Sequence, residues 1–239
     1  REIYDVFHET ASGQLDLGIV PVENYLQGAI TEVSDLLIET DLKIVGEVRM
    51  PIHHCLLALP ESEYRDLKVV YSHPQALGQC RGFIERHKLE SKPYYDNAGA
   101  ARMLAETRSD ATCVIANRLC ADLYNLEIVQ EDIEDQKPNS TRFIILSKEM
   151  SKEQGDKCSI IYSLNDKAGA LLSILKIFSD NEINLTRIES KPSRIDPHEY
   201  FFFTDIEGSM QDNRVVSVLE EVEKNVKNYK FGGCYKAYK

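Results

Sequence analysis

Small polar residues stand at three places where a predicted strand passes into a predicted helix in the first part of the chain. These places are the stretches VPVEN (20–24), SHPQ (72–75) and NAGAA (97–101). The free backbone N–H groups and the dipole of a helix start attract an anion. Because the carboxyl ends of parallel strands meet at one edge of a sheet, several such starts along one crevice would suit a small polyanionic ligand. Ordinary N-capping is the alternative interpretation of any one of them.

Ser72, Gln75 and Gln79 are predicted to share one helix face, because the two glutamines are four residues apart and Ser72 precedes them by one turn. Their neutral hydrogen-bonding groups could hold the carboxylate and hydroxyl oxygens of a ligand. The alternative is a solvated face without a ligand.

Thr141 and Arg142 directly precede the apolar run FIIL (143–146). A guanidinium can pair with a carboxylate through two parallel hydrogen bonds, and Thr141 offers a hydroxyl beside that charge. An ordinary surface charge is the alternative. His53 and His54 are adjacent and would point to opposite faces of a strand, which favours a structural role over a shared metal site.

Two further motifs lie in the last third of the chain. Gly169-Ala170-Leu171 opens a predicted helix, and Glu189-Ser190-Lys191-Pro192 ends a predicted strand. A polar bend beside a glycine-led helix start could hold a free amino acid, with its carboxylate against N–H groups and its ammonium against carbonyl oxygens or Glu189. A plain turn is the alternative.

The elements that would position these residues fall into two parts. From about residue 15 to 146, short apolar runs alternate with helical periods, which predicts an α/β fold with a largely parallel sheet. The polar stretch 147–157 predicts a linker. Residues 158–237 follow the order strand, helix, strand, strand, helix, strand, which predicts a ferredoxin-like βαββαβ arrangement.

Composition narrows the classes of partner. The chain has 28 Lys+Arg and 39 Asp+Glu, and the resulting net charge of −11 argues against general nucleic-acid binding. No apolar run reaches the roughly 18 residues of a membrane helix, and no signal-peptide pattern opens the chain. The six cysteines show no CxxC spacing, so we expect a reducing, cytoplasmic compartment and no zinc site.

Taken together, the motifs resemble the prephenate dehydratase family over nearly the whole chain and in the family's order. The stretches that carry the resemblance in the first part are GIVPVENYLQGAITEVSDLL (18–37), PIHHCLLALP (51–60), YSHPQALGQC (71–80), NAGAAR (97–102) and NSTRFIIL (139–146). The stretches that resemble the family's C-terminal ACT regulatory domain are GALLSILKIF (169–178), ESKPSR (189–194) and EYFFFTDIEG (199–208).

The resemblance implies a two-lobed catalytic region, like a periplasmic binding protein, over residues 1–150. One lobe would contain residues of about 1–54 and 138–147, and the other residues of about 55–136. An ACT regulatory domain of βαββαβ order would occupy residues 157–239. It would bind L-phenylalanine as a feedback inhibitor and join chains into a homodimer or homotetramer.

The resemblance also implies roles for single residues. Prephenate would be contacted by residues of the family's TRF, P-x-E-N and SHPQ motifs and of the NAGAAR run, here Thr141, Arg142, Glu23, Asn24, Ser72, His73, Gln75, Gln79 and Asn97. Phenylalanine would be bound by Gly169, Ala170, Leu171, Glu189, Ser190, Lys191 and Pro192.

The reaction of the family converts prephenate into phenylpyruvate with loss of carbon dioxide and hydroxide. That electron flow requires neither a metal nor a redox cofactor. We expect Arg142 to anchor a substrate carboxylate and Thr141 to donate a hydrogen bond to the leaving hydroxyl. Two alternatives are arogenate dehydratase, whose substrate carries an amino group in place of the keto group, and an amino-acid-binding module without catalysis.

The sequence departs from the family pattern at two points. The family's ESRP motif stands here as ESKP, so Lys191 replaces an arginine and loses its planar fork of donors. The family's first strand and glycine-rich GPxGTFS loop, upstream of the P-x-E-N motif, are not in the sequence, which predicts an N-terminally incomplete catalytic region. The residues do not indicate whether a chorismate mutase domain precedes Arg1.

Overall fold

The structure is a computed structural model that describes residues 2–194, 196 and 199–238 of the 239-residue chain. The chain forms two compact units. Residues 1–50 and 141–239 make the first unit, and residues 51–140 make the second. Within these described ranges, no helix combines the length and the apolar character that a membrane crossing requires.

Helices and strands alternate along the chain. The described helices are α1 (Ile3–Ser12), α2 (Thr31–Glu39), α3 (Pro74–Gln79), α4 (Arg81–Arg86), α5 (Asn97–Thr107), α6 (Arg118–Tyr124), α7 (Ala170–Asp180) and α8 (Asn213–Lys224). The described strands are β1 (Gly18–Asn24), β2 (Gly28–Ala29), β3 (Lys43–Pro51), β4 (Cys55–Ala58), β5 (Val69–Ser72), β6 (Glu90–Pro93), β7 (Thr112–Ala116), β8 (Glu127–Gln130), β9 (Ser140–Ser147), β10 (Lys157–Asn165), β11 (Leu185–Pro192), β12 (Glu199–Glu207) and β13 (Asn228–Tyr235).

The first sheet of the first unit has the strand order β2-β1-β9-β3. β1 pairs antiparallel with β9, with Glu23 opposite Arg142 and Asn24 opposite Thr141. Helix α1 lies so close to β1 that a Cβ atom on Gly18 would stand 2.6 Å from Thr10 Oγ1. This contact fixes the start of β1 and therefore the strand that carries Glu23 and Asn24.

The second sheet of the first unit is the βαββαβ domain of residues 157–235, with the strand order β11-β12-β10-β13 and antiparallel pairing throughout. Helices α7 and α8 cover one face, where Ile174, Phe178 and Val222 are buried. The other face carries Ile161, Phe203 and Tyr235, and these residues share a core cluster with α1, α2 and the first sheet. The βαββαβ domain is therefore packed directly on the strand pair β1–β9.

The second unit is a five-stranded sheet in the order β6-β5-β7-β4-β8, with α3, α4, α5 and α6 around it. Successive residues of β4 and β7 enter two different core clusters, because side chains alternate across a sheet. Leu57 and Val114 belong to one cluster, and Leu56 and Ile115 to the other. The sheet is thus covered on both faces, as an α/β unit requires.

Two expectations from the sequence need correction. The largely parallel sheet is a mixed sheet, since β5 pairs parallel with β6 and β7 but β4 pairs antiparallel with β7 and β8. Alternation of elements does not specify this, because strand direction depends on how the chain enters and leaves each unit. Helix α1 was not predicted, although Phe7 and Thr10 form its buried side. The α/β fold followed by a βαββαβ domain is confirmed.

Candidate active site

Thr141 and Asn24 form a hydrogen-bonded pair at the ends of β9 and β1. Asn24 Nδ2 donates to Thr141 Oγ1 at 3.0 Å, and Asn24 Oδ1 accepts from the backbone N–H groups of Leu26 and Gln27. The turn after β1 therefore holds the amide, and the amide orients the hydroxyl. Since Thr141 Oγ1 accepts from Asn24, its own proton remains available to donate.

Arg142 points to the opposite face of β9, because adjacent strand residues alternate. Only 2% of Arg142 is exposed. Its Nε donates to Glu47 at 2.6 Å, and its two terminal nitrogens donate to Asp205 at 2.6 Å and to the hydroxyl of Tyr235 at 2.9 Å. Asp205 and Tyr235 belong to the βαββαβ domain, so Arg142 joins that domain to β9.

A chain of hydrogen bonds closes around the guanidinium of Arg142. The Tyr235 hydroxyl accepts from Arg142 and lies 2.8 Å from Ser159 Oγ. Ser159 Oγ donates in turn to the second oxygen of Asp205 at 2.5 Å. Every member is buried and has a partner, which is the condition under which a buried polar cluster fixes a unique geometry.

The buried charges of this cluster compensate one another. Burial alone would raise the pKa of Asp205, but the charges of Arg142 and Arg187 and the bond from Ser159 hold that pKa below its usual value. Burial alone would lower the pKa of Arg142. Its partners, above all Asp205, have the larger effect, and the pKa of Arg142 is raised. Both groups are therefore charged at neutral pH.

Glu23, next to Asn24 on β1, is surrounded by three arginines. Its carboxylate lies 3.4 Å from Arg187 Nε, 3.6 Å from Arg142 and 3.7 Å from Arg49. The Glu23 side chain is 26% exposed, whereas that of Arg187 is 9% exposed. Glu23 is thus partly open to solvent on one side and tied to buried cations on the other.

This geometry separates the two residues of the TRF motif. Thr141 presents a hydroxyl on one face of β9, and Arg142 is occupied on the other. The hypothesis that Arg142 anchors a substrate carboxylate stays a prediction, but a guanidinium that already serves two carboxylates and a tyrosine favours a supporting role.

In the second unit, Ser72 and Asn97 order the start of α3. Ser72 is fully buried, and its Oγ lies 2.5 Å from the Ile115 carbonyl oxygen and 2.7 Å from Asn97 Oδ1. Asn97 Oδ1 also accepts from the backbone N–H of His73. His73 is the N-cap of α3, and its Nδ1 accepts from the backbone N–H of Gln75. The three predicted residues Ser72, His73 and Asn97 thus form one contiguous group.

The two glutamines of α3 have different surroundings. Gln75 is exposed. Gln79 is half-buried, and its Oε1 accepts from His54 Nε2 at 2.7 Å and lies 3.5 Å from Asn139 Nδ2. Gln79 therefore already has protein partners.

His53, Asp132 and Glu134 bring three possible metal-ligand atoms within 4.8 Å of one another. His53 Nδ1 lies 3.1 Å from Glu134 and 3.3 Å from Asp132. Lys137 Nζ lies 2.9 Å from Asp132 and 3.7 Å from Glu134, so an ammonium already pairs with both carboxylates. Hydrogen bonding to Lys137 lowers the pKa of Asp132. This cluster is fully explained as an ion-pair group.

The glycine-led motif of the βαββαβ domain lines a cavity. Gly169 has φ +83°, a conformation that favours glycine, and it immediately precedes α7. Gly169 and Ala170 lie on a cavity of about 650 Å³ together with Lys167, Lys224 and Lys227. Leu171 is half-buried behind them.

The ESKP motif on β11 contacts helix α2. Glu189 accepts from Ser34 Oγ at 3.3 Å and also pairs with Arg187. Lys191 Nζ donates to the Thr31 carbonyl oxygen at 3.1 Å and pairs with Asp35. Ser190 and Pro192, between and after them, point away and are exposed. The lysine that replaces the arginine of the family motif therefore already has two hydrogen-bond acceptors, both on helix α2.

Comparison with known proteins agrees with this architecture. The sequence model described as prephenate dehydratase matches residues 1–151, and the ACT domain model matches residues 159–224. The chain belongs to the prephenate dehydratase family.

Two curated relatives illustrate the range of the family. The prephenate dehydratase of Methanocaldococcus jannaschii is 37% identical over 243 residues, which cover 100% of this chain and 87% of the relative. A bifunctional chorismate mutase/prephenate dehydratase of Pseudomonas aeruginosa is 39% identical over 236 residues. That match covers 98% of this chain but only 64% of the relative.

Solved structures give the same fold. A prephenate dehydratase from Arthrobacter aurescens, in complex with L-Phe, superposes with a TM-score of 0.87 at 30% identity, covering 98% of this chain and 79% of that one. A protein described as GqqA, a novel type of quorum quenching acylase, superposes with a TM-score of 0.89 at 29% identity. The second match covers 100% of this chain and 88% of the other.

The family assignment made from motifs is confirmed, and the roles of individual residues stay predictions. The motifs did not reveal the buried cluster around the TRF arginine. Its direct partners there are Glu47, Asp205 and Tyr235, and the neighbours of those partners are Lys157, Ser159 and Arg187. One signal was present, because Thr204 and Asp205 interrupt the apolar strand EYFFFTDIE and are both buried. A charged residue at a buried strand position indicates a buried partner.

Proposed function

We propose that the chain catalyses the decarboxylating dehydration of prephenate to phenylpyruvate in phenylalanine biosynthesis. The match to the prephenate dehydratase model over residues 1–151 carries this proposal. The oriented hydroxyl of Thr141 supports it, because the reaction needs a hydrogen-bond donor at the departing hydroxyl.

In the reaction, the electron pair of the breaking C–CO₂ bond moves into the ring and expels hydroxide, and the ring becomes aromatic. The protein must bind two carboxylates, exclude water from the one that leaves and donate to the hydroxyl. A threonine hydroxyl is a weak acid, so Thr141 acts as a donor or relay. Positioned proton transfer contributes roughly 10²–10⁴-fold, and one donor of this kind is worth about 2.7–4 kcal/mol.

Residues of the second unit supply neutral groups for the substrate. Gln75 is exposed and His73 is held at the start of α3 by Asn97. We assign contacts with prephenate to Gln75 and His73, and a supporting role to the buried Ser72. Because the whole chain carries a charge of −11, attraction of a dianion depends on such local groups.

Feedback regulation is the second part of the proposal. The related Arthrobacter structure is a complex with L-Phe, and the present chain carries an ACT domain over residues 159–224. We assign phenylalanine binding to Gly169–Leu171 of one chain and Glu189–Pro192 of a second chain, in a homodimer or homotetramer. We place the enzyme in the cytoplasm.

The test is the formation of phenylpyruvate from prephenate by the purified protein, which is followed by ultraviolet absorbance. Thr141→Ala should lower kcat at least tenfold, because the donor to the leaving hydroxyl is lost. Thr141→Ser is the matched control, since it keeps the hydroxyl, and it should retain most of the activity. An unchanged kcat in Thr141→Ala would remove Thr141 from the chemistry.

Parallel assays separate the alternatives. Faster turnover of arogenate than of prephenate would identify an arogenate dehydratase. Quorum-quenching acylase activity, without turnover of prephenate, would group the chain with its acylase neighbour. Inactivity in all three assays, with a phenylalanine-dependent rise in Tm, would leave only an amino-acid-binding module.

A further inference from the structure

Four charged residues from two sheets of the first unit lie together in a cluster, which we call the charge quartet: Glu23, Arg142, Arg187 and Asp205. Glu23 and Arg142 are directly opposite each other on β1 and β9. Arg187 and Asp205 are directly opposite each other on β11 and β12. The register of each sheet therefore presents one acid and one arginine side by side.

The two pairs also bond across from one sheet to the other. Arg142 donates to Asp205 at 2.6 Å, and Arg187 Nε lies 3.4 Å from Glu23. Three ion pairs therefore link the quartet, namely Glu23–Arg142, Arg142–Asp205 and Glu23–Arg187, and the charge of Arg187 also acts on Asp205. The strand pair β1–β9 and the ACT sheet are joined by charge at two points.

The joined points are next to the groups assigned to the reaction. Arg142 follows Thr141 directly on β9, and Glu23 precedes Asn24 directly on β1. Asn24 in turn orients the Thr141 hydroxyl at 3.0 Å. A shift of Arg142 or Glu23 therefore moves the backbone on which the Thr141–Asn24 pair is built.

Burial makes the group stiff. Arg142 and Asp205 are each 2% exposed, and Asp205 is held from its other side by Ser159 at 2.5 Å. A buried charge without its partner is strongly unfavourable, so the group has few alternative arrangements. Catalytic groups gain most from supports of this kind, because a misplacement of about 1 Å can cost roughly 10²-fold in rate.

We infer that Asp205 and Arg187 of the ACT domain are positioning residues for the reaction, because they hold the β1–β9 strand pair through Arg142 and Glu23. This inference rests on the proposed function. It assigns the ACT domain a part in catalysis that does not depend on bound phenylalanine. Neither residue touches the hydroxyl donor, and both act through a neighbour on the adjoining sheet.

Asp205→Asn tests the inference, because asparagine keeps the size of the side chain and removes the charge. We expect kcat for prephenate to fall about 10- to 100-fold while KM changes less than about threefold, since Thr141 acts on the departing hydroxyl and not on substrate binding. Asp180→Asn, an exposed residue of α7 paired with Lys176, is the matched control and should leave kcat unchanged. A folded Asp205→Asn protein with unchanged kcat would overturn the inference.

Two further variants apply if Asp205→Asn folds poorly. Arg187 lies on the outer strand β11, and Arg187→Gln should lower kcat whereas Arg187→Lys, which keeps the charge, should recover much of the loss. Equal activity of Arg187→Gln and Arg187→Lys would contradict the positioning role. Fold is checked by circular dichroism and by the Tm of each variant.

A double-mutant cycle separates positioning from general damage. If Asp205 acts through Thr141, adding Asp205→Asn to Thr141→Ala should lower kcat by less than about twofold beyond Thr141→Ala alone. Fully additive losses would overturn the inference. Wild-type protein without dehydratase activity would instead refute the proposed function, so the two failures are distinguishable.

Discussion

Replacing Arg142 by methionine should destabilise the protein strongly at neutral pH. The change removes the guanidinium that donates to Glu47 and Asp205 at 2.6 Å each, and both carboxylates are almost completely buried. Glu47 keeps Lys157 at 3.0 Å, whereas Asp205 loses its nearest cation. Breaking a buried pair on one side costs about 3–5 kcal/mol. For a chain of this size that corresponds to a fall in Tm of about 6–20 °C.

The same variant should acquire a pH dependence of stability between pH 5 and 7 that Asp205 does not cause in the wild-type protein. In the wild-type protein the pKa of Asp205 is lowered, so its ionisation stabilises the fold above the unfolded-state pKa and that stabilisation is lost only as the pH falls through the lower folded-state pKa. Asp205 therefore does not make the stability of the wild-type protein depend on pH between 5 and 7. Without Arg142, burial is opposed only by the charge of Arg187 and the hydrogen bond from Ser159, and we expect burial to raise the pKa of Asp205 above its usual value. The folded variant then binds a proton that the unfolded chain has released, so its stability should fall as the pH rises from 5 to 7.

Urea unfolding at pH 5, 6 and 7, followed by circular dichroism, measures both effects. Arg142→Lys keeps the charge and should lose less free energy of unfolding. In this variant Asp205 should not make stability depend on pH between 5 and 7. Arg81→Met removes an exposed arginine paired with Glu85 and should not alter unfolding. A loss below about 1 kcal/mol in Arg142→Met, or a loss that is equal at pH 5 and 7, would refute the account of the buried cluster.

Two other predictions concern packing and thiol chemistry. Gly18→Ala should destabilise by about 1–3 kcal/mol, because the new Cβ would lie 2.6 Å from Thr10 Oγ1. On helix α3, a Cβ atom added at Gly78 would meet nothing within 4 Å. Gly78→Ala should therefore stabilise the protein by about 0.4–1 kcal/mol, and denaturant unfolding measures both variants. Cys234 should react fastest of the cysteines with a thiol reagent near pH 7, because it is the one cysteine that is only half-buried and because its pairing with Cys158 lowers its pKa. Cys158→Ala should raise that pKa and slow the labelling at pH 7, and an unchanged rate would show that Cys158 has no such influence.

Local patterns predicted much of this fold. The helices around residues 97–107 and 170–180 have apolar residues at helical spacing and small or polar residues at their starts, and the structure contains both. Strands β10, β11, β12 and β13 were predicted in the right order, because each is a short run between clear breaks. Strand direction in the second unit was predicted wrongly, since it depends on the path of the chain and not on any local pattern.

The charged partners of the active-site strand could not be predicted in the same way. Arg142 and Asp205 are 63 residues apart in the sequence, and Glu47 lies 95 residues before Arg142. An arginine before an apolar strand has the same local sequence whether it faces solvent, a substrate or a buried carboxylate. Only the packing of one sheet on the other distinguishes these cases. The sequence did contain one sign of the buried partner, because a lone aspartate interrupts an apolar strand of the ACT domain.

The alternation of side chains along β9 explains how one short motif serves two purposes. Thr141 and Arg142 are adjacent, so one must face away from the other. If the donor to the substrate is Thr141, then Arg142 necessarily lies on the opposite side, where the ACT sheet is packed. The same constraint places Asn24 beside Thr141 and Glu23 beside Arg142 on the paired strand. Exchange of Thr141 and Arg142 in sequence would therefore remove the donor and the inter-sheet ion pair together, although the composition of the motif would be unchanged.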